Sequence, residues 1–142
     1  PAAEAYARAL LEGGKSRKAV SAIERTFALE PHPGLAELYP RARGATDELS
    51  RAREVRRLTQ AQPAHPESRV ALARALVAAK LWGEARRLLE DFGDNPPARA
   101  CRLMAEIEET ERGDMNESHR WLMRAAPSTG RWRPFRSRPC LI

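Results

Sequence analysis

The sequence predicts an all-α protein, a right-handed superhelix built from about four stacked helix pairs. Its composition is rich in Ala, Leu and Arg and poor in β-branched residues, which favours helices. Apolar residues recur at i, i+3 and i+4 in successive segments, as in amphipathic helices. The chain also matches itself at a spacing of 33 residues, a period typical of helix pairs that bury their apolar faces against neighbouring pairs. The aligned columns include Ala19, Ala52 and Ala85; Arg8, Arg41 and Arg74; and Tyr6, Tyr39 and Leu72.

The first helix pair is predicted to end at the prolines of positions 31 and 33. Its first helix covers residues 2–12, carries Tyr6 on its apolar stripe and ends at two glycines. Ser16 is expected to cap the second helix, because a serine hydroxyl accepts a hydrogen bond from a free backbone amide. The prolines end this helix because the residue before a proline avoids the helical conformation.

The later pairs follow the same pattern. The second pair begins at Gly34 and contains Pro40, which predicts a short or kinked first helix. Its second helix is capped by Thr46 or Asp47, runs to about residue 61 and turns Leu49 inward. The third pair spans residues 66–92. The fourth pair is the last, and the predicted repeat domain covers residues 1–126. Residues 127–142 alternate Arg with Trp, Phe and Pro, so we expect a basic, disordered tail.

Small side chains have a packing role within each unit. Two antiparallel helices approach closely only where one side chain at their crossing is small. Larger apolar residues such as Tyr6 and Leu72 are expected to fill the space around the crossings. The predicted crossing alanines are Ala7, Ala19, Ala52, Ala73 and Ala85.

The combination of small residues, turn glycines and closing prolines resembles the tetratricopeptide repeat. In that pattern an Ala follows a Gly turn, a large residue comes four positions later, and Pro ends the unit. The matches are Gly14, Ala19, Ile23 and Pro31 in the first unit and Ala73, Trp82, Ala85, Leu89 and Pro97 in the third. The second unit departs from the pattern at Pro40 and Arg56, and the fourth has Ser118 for Ala. The resemblance implies a concave groove lined by the first helices of the pairs.

Three segments are similar to the C-terminal repeat region of the HemY proteins, proteobacterial inner-membrane proteins associated with haem biosynthesis. The segments are residues 30–39, 65–90 and 99–114. Family members carry N-terminal membrane helices, whereas this sequence contains no apolar run of about 18 residues. The resemblance therefore implies a soluble fragment of a parent anchored in the bacterial inner membrane, with this domain in the cytoplasm and late haem-synthesis enzymes as partners.

The sequence contains no arrangement typical of catalysis, cofactor binding or metal binding. His32 and His65 lie beside prolines and are expected in turns between repeats. The acidic residues at positions 106–111 fit a solvated helix face better than a cation site, and the two cysteines lack metal-type spacing. We therefore expect a non-enzymatic protein without a metal or cofactor.

The aligned arginines are the main candidate for function. They occupy one place on successive first helices, where guanidinium groups in register suit the carboxylates of an acidic peptide or protein. The predicted partner-binding residues of the groove are Arg8, Arg41, Arg74, Glu4, Glu37, Val70 and Val77. Alternatively, the arginines are solvated or pair with neighbouring glutamates.

The positive charge allows a second interpretation. A net charge of +6 and a pI of about 10.1 would also suit a basic solenoid that binds nucleic acid or an anionic membrane surface. Arginines clustered in a groove favour a peptide partner, whereas a cluster on the convex face or the tail favours a polyanion. We expect a scaffold for a protein or peptide partner and treat nucleic acid as the weaker alternative.

Overall fold

A computed structural model describes residues 2–125 of the chain. Over these residues the backbone forms helices joined by turns and contains no strand, which confirms the predicted all-α class. The chain divides into two compact units, the first reaching to Ala85 and the second beginning at Arg86. The predicted tail of residues 127–142 lies outside the described residues.

The helices lie close to the predicted positions. The first unit contains α1 (Ala2–Glu12), α2 (Ser16–Leu29), α3 (Pro33–Ala42), α4 (Glu48–Thr59) and α5 (Pro66–Ala78). Helix α6 (Trp82–Glu90) begins in the first unit and ends in the second. The second unit continues with α7 (Ala98–Ile107), a π-helical turn (Glu108–Arg112) and α8 (Met115–Ala125). Between residues 2 and 125, no helix combines the length and the apolar character needed to cross a bilayer.

Side chains cap α3, α4 and α5 at their N-termini. Asp47, one of the two predicted caps of α4, accepts a backbone amide hydrogen bond at 2.7 Å. His32 and His65 cap α3 and α5, where Nδ1 of each ring accepts an amide hydrogen bond at 3.1 Å and 3.0 Å. The repeated His-Pro dipeptide follows from this geometry, since the His caps the helix and the Pro takes the first helical position, where no amide donor is needed. Ser16 is instead the first residue of α2, and the cap residue Lys15 makes no side-chain hydrogen bond.

Helix α3 continues through Pro40 and ends two residues later, so it is short, as predicted. Proline has no amide hydrogen, and the carbonyl of Ala36 therefore receives no hydrogen bond from position 40. The helix persists because it buries one face, including Leu35 and Tyr39, against its neighbours. Local propensity opposes the helix here and tertiary packing sustains it.

The core of the first unit is built around α3. This helix contacts α1, α2, α4 and α5. The largest fully buried side chains include Tyr39, Phe27 and Ile23. All the predicted crossing alanines are buried, since none is more than 3% exposed: Ala7, Ala19, Ala52, Ala73 and Ala85. Close helix approach therefore depends on these small side chains.

Two predicted core residues are exposed. Tyr6 is 58% exposed and Leu49 is 53% exposed, so the expectation that both face inward was wrong. Leu49 lies in the first turn of α4, beside the cap. Tyr6 lies on α1, which contacts α2 and α3.

In the second unit α7 packs against α8. Ser118, which replaces the repeated alanine, is 1% exposed, and its hydroxyl donates to the Glu109 carboxylate at 2.5 Å. The repeat position that holds alanine in the other pairs is therefore buried in the fourth pair too, and the serine hydroxyl there has a hydrogen-bond partner. Cys101 is also buried, and this burial raises the pKa of its thiol.

The acidic segment that follows α7 is not wholly solvated. Glu108 is 4% exposed and accepts a hydrogen bond from Nη2 of Arg86 at 3.3 Å. Nη1 of Arg86 donates to Glu111 at 2.8 Å. The expected solvated face was therefore wrong at Glu108, because an arginine far away in the sequence compensates its buried charge.

Candidate functional site

A cleft of about 280 Å³ lies on the first unit between α3, α4 and α5. One wall comes from α3, the opposite wall from α5, and α4 contributes the remaining side. The lining residues are Pro33, Ala36, Glu37, Pro40, Glu48, Arg51, Val55, Ala71, Arg74, Ala75 and Ala78. Most of these residues are apolar, and we call the apolar part of the lining the floor of the cleft. The remaining lining residues carry charged side chains.

The cleft exists because the α5 wall is built from alanines. Ala71, Ala75 and Ala78 stand at i, i+4 and i+7 and so share one face of the helix. On α3, Ala36 and Pro40 stand four positions apart and line the other wall. Small side chains on both walls leave room that larger residues would fill.

The charged residues of the cleft differ in their pairing. Arg51 forms an ion pair with Glu48, one turn away on α4. Arg74 and Glu37 are exposed and have no hydrogen bond or ion pair within residues 2–125. A guanidinium and a carboxylate are thus available at the cleft to groups from outside the chain.

The cleft also contains the residue whose carbonyl lacks its usual helical donor. Ala36 lines the α3 wall, and its carbonyl receives no hydrogen bond from Pro40, the residue one turn later. Ala36 itself is only 4% exposed, so it lies where the α3 wall meets the core.

The predicted arginines do not share one environment. Arg74 lines the cleft, whereas Arg41 is exposed in the last turn of α3 and is not a lining residue. Arg8 donates to Glu4 at 2.9 Å, one of the pairings that the sequence left open. Of the predicted residues, the structure therefore brings Arg74 and Glu37 to the cleft.

Glu4 also contacts the turn that leads into α3. A side-chain carbon added at Gly34 would collide with the carboxylate of Glu4. Glu4 Oε2 lies 3.9 Å from Nδ1 of His32. That nitrogen accepts the backbone amide hydrogen bond of Gly34. Glu4 is engaged within the chain and is not a free groove residue.

Val70 and Val77 are core residues rather than groove residues. They are 1% and 5% exposed, so a partner cannot reach their side chains. Helix α5 is apolar on nearly all sides, with alanines toward the cleft and larger residues such as Leu76 toward the core. The sequence pattern could not separate these two faces, because both read as apolar.

Most residues that line the cleft were not predicted from the sequence. Pro40 was predicted only to shorten or kink its helix, and the lining alanines of α5 were assigned no role. These alanines, at positions 71, 75 and 78, have the i, i+4, i+7 spacing of a single helix face. That spacing is the signal that could have located the α5 wall.

The part of the chain that the structure describes contains no group of three or more His, Cys, Asp or Glu side chains placed to hold a metal ion. The described His residues at 32 and 65 serve as helix caps. What the cleft offers chemically is apolar contact, a cation and an anion.

Comparison with known proteins gave one partial similarity. Over 52 residues the chain is 46% identical to the probable magnetosome protein Mms48 of Magnetospirillum gryphiswaldense. The aligned stretch is 36% of this chain and 12% of that protein, so the chain matches only a small part of its relative's length. No protein-family model matches the chain, and no solved structure matches it.

Proposed function

We propose that this chain is a non-enzymatic scaffold of the tetratricopeptide type that binds a segment of a protein partner in the cleft between α3 and α5. The observation that carries the proposal is the cleft itself, where an apolar floor adjoins an unpaired Arg74. Pockets that bind ligands typically join apolar walls to a few polar groups that orient the ligand.

The helix contacts of the first unit support a stacked repeat. Each helix from α1 to α5 contacts the next one, α1 also contacts α3, and α3 also contacts α5. Stacked helix pairs are expected to show this pattern, with first helices side by side on one face. A right-handed superhelix over all pairs is part of the proposal.

The cleft favours a partner of particular chemistry. A medium-sized apolar side chain would fill the floor, and a carboxylate beside it would accept hydrogen bonds from Arg74. Because Arg74 is exposed, its contribution would lie toward the low end of the roughly 1.5–3 kcal/mol typical of charged hydrogen bonds.

The resemblance to the HemY repeat region supports a proposal about context. By that resemblance, the parent chain is anchored in a bacterial inner membrane, this domain is in the cytoplasm, and the partners are late haem-synthesis enzymes. The magnetosome description of Mms48 belongs to that protein. Either context is compatible with a cleft that recognises a short acidic and apolar segment.

Selection of peptides from a random displayed library, followed by calorimetric titration, tests the function. We expect selected peptides to share an apolar residue near an Asp or Glu. Arg74→Ala should weaken their binding about tenfold, and Ala75→Phe should weaken it further because the larger ring would fill the cleft. Arg53→Ala is the matched control, because Arg53 is exposed on α4 and does not line the cleft.

Equal binding to all these variants would contradict the proposal. If the chain instead bound DNA or anionic vesicles, with affinity unchanged by Arg74→Ala and lost on removal of residues 127–142, the polyanion interpretation would replace it. Salt dependence alone would not distinguish the two, because both surfaces are cationic.

A further inference from the structure

The cleft between α3, α4 and α5 is electrically neutral although the chain is basic. Two carboxylates and two guanidinium groups line it, so their formal charges cancel: those of Glu37, Glu48, Arg51 and Arg74. The chain as a whole has a formal net charge of +6. The excess positive charge therefore lies elsewhere, and the cleft lacks the single sign of charge that favours a polyanion.

The charged residues of the cleft divide into one ion pair and two unpaired groups. Glu48 and Arg51 form the ion pair, on α4. Glu37 on the α3 wall and Arg74 on the α5 wall are exposed and make no hydrogen bond or ion pair within residues 2–125. A carboxylate and a guanidinium thus stand on opposite walls of one cleft without neutralising each other.

Neighbours on the same helix do not satisfy these two groups. Arg41 stands four positions after Glu37, a spacing at which Glu and Arg commonly pair, yet the two side chains form no ion pair in the structure. On α5, the positions three and four residues from Arg74 hold only small or aliphatic residues: Val70, Ala71, Val77 and Ala78. Arg74 therefore has no carboxylate within reach along its own helix.

The separation of the walls limits how one partner segment can contact both groups. Helices α3 and α5 contact each other, and packed helices lie about 8–10 Å apart. An extended segment advances about 3.3 Å per residue. A segment that crosses the cleft therefore reaches both walls with charged residues about two or three positions apart, and a residue between them lies over the apolar floor.

We propose that Glu37 is a specificity-determining residue and that the cleft selects partner segments in which a basic and an acidic residue flank an apolar one. The basic residue pairs with Glu37, the acidic residue pairs with Arg74, and the apolar side chain fills the floor. The opposite charges of the two walls fix the direction in which a given segment lies across the cleft. This inference rests on the proposed function, to which it adds the basic residue and the direction of binding.

A displayed library of short peptides with a fixed central leucine, sequenced after selection, tests the inference. Peptides selected on the wild type should carry Lys or Arg on one side of the leucine and Asp or Glu on the other. Selection on Glu37→Gln should lose the preference for a basic residue and keep the acidic one, and selection on Arg74→Gln should do the reverse. Glu106→Gln is the matched control, because Glu106 is exposed on α7 and does not line the cleft.

Calorimetric titration with charge exchange separates recognition by Glu37 from a structural role. Glu37→Gln should weaken a peptide selected on the wild type about twofold to fivefold, as expected for an exposed ion pair. Glu37→Lys should weaken it further by repulsion. The same peptide with Glu in place of its basic residue should bind Glu37→Lys more tightly than it binds the wild type, a reversal that a purely structural role would not produce.

Selected peptides with an apolar and an acidic residue but no basic one, weakened by Arg74→Ala and unaffected by Glu37→Gln, would overturn this inference and leave the proposed function standing. If the wild type selects no peptide, the proposed function fails and this inference fails with it. Tighter binding to Glu37→Gln than to the wild type would show that Glu37 competes with the partner for Arg74, which also overturns the inference.

Discussion

Replacing Tyr39 by Phe removes one hydroxyl from the centre of the first unit and nothing else. That hydroxyl donates to Glu24 at 2.6 Å, and the ring is fully buried. Hydrogen bonds to charged groups contribute about 1.5–3 kcal/mol. Because Glu24 is exposed, water can solvate its carboxylate once the bond is lost, which places the expected loss near 1.5 kcal/mol. Tyr6→Phe, at the same repeat position but exposed, should cost almost nothing.

The Tyr39 bond also predicts a dependence on pH. Burial, and then the hydrogen bond to Glu24, raise the pKa of Tyr39 far above its ordinary value of about 10. The folded state therefore holds this proton more tightly than the unfolded state. Its contribution to stability is complete below about pH 10 and is lost as the pH rises toward the folded-state pKa.

Urea denaturation at pH 8 and at a pH above 10 measures both effects. At pH 8 the wild type should exceed Tyr39→Phe by about 1.5 kcal/mol in free energy of unfolding. The difference in unfolding free energy between the wild type and Tyr39→Phe should become smaller at the higher pH, because the unfolded wild type then loses its phenolic proton. Equal stabilities at pH 8, or a gap that stays constant with pH, would refute the assignment of the buried bond to this pair.

Three further predictions concern the caps, the core and the cleft. His65→Ala should destabilise the chain by about 0.5–2 kcal/mol in denaturant titrations, while His65→Asn, which keeps an acceptor, should cost much less. Ser68 is 1% exposed and its hydroxyl has no partner within residues 2–125. Ser68→Ala should therefore leave the unfolding free energy unchanged or raise it by up to about 1 kcal/mol, and a clear loss would reveal a missed partner. For peptides selected on the cleft, Arg74→Ala should weaken binding while Arg41→Ala should not, and equal losses would show that the arginines act together.

Much of the fold could be predicted because helix formation and helix ends depend on nearby residues. Asp47 caps α4 through an amide three positions away, and the repeated His-Pro dipeptides begin α3 and α5 for local reasons. The burial of the repeated alanines was also predictable, since small side chains at a regular spacing are typical of closely packed helices. These features depend on spacing along the chain, which a sequence displays directly.

The candidate site was only partly predictable. Arg74 and Glu37 were named and do line the cleft, but Val70 and Val77 are buried. Helix α5 presents apolar residues on two faces, and periodicity cannot tell a cleft wall from a core face when both are apolar. Arg41 matches Arg74 in the repeat yet does not line the cleft.

The sequence by itself therefore determined the helical class, the repeat and most helix ends, all of which follow from local propensity and spacing. Tertiary structure alone decided exposure. Tyr6 and Tyr39 occupy the same place in the 33-residue period, yet Tyr6 is 58% exposed and Tyr39 is 0% exposed, because α1 and α2 pack against α3. Glu108 is likewise buried because the distant Arg86 reaches it. Burial depends on which neighbours the fold supplies, and a residue's own sequence position does not contain that information.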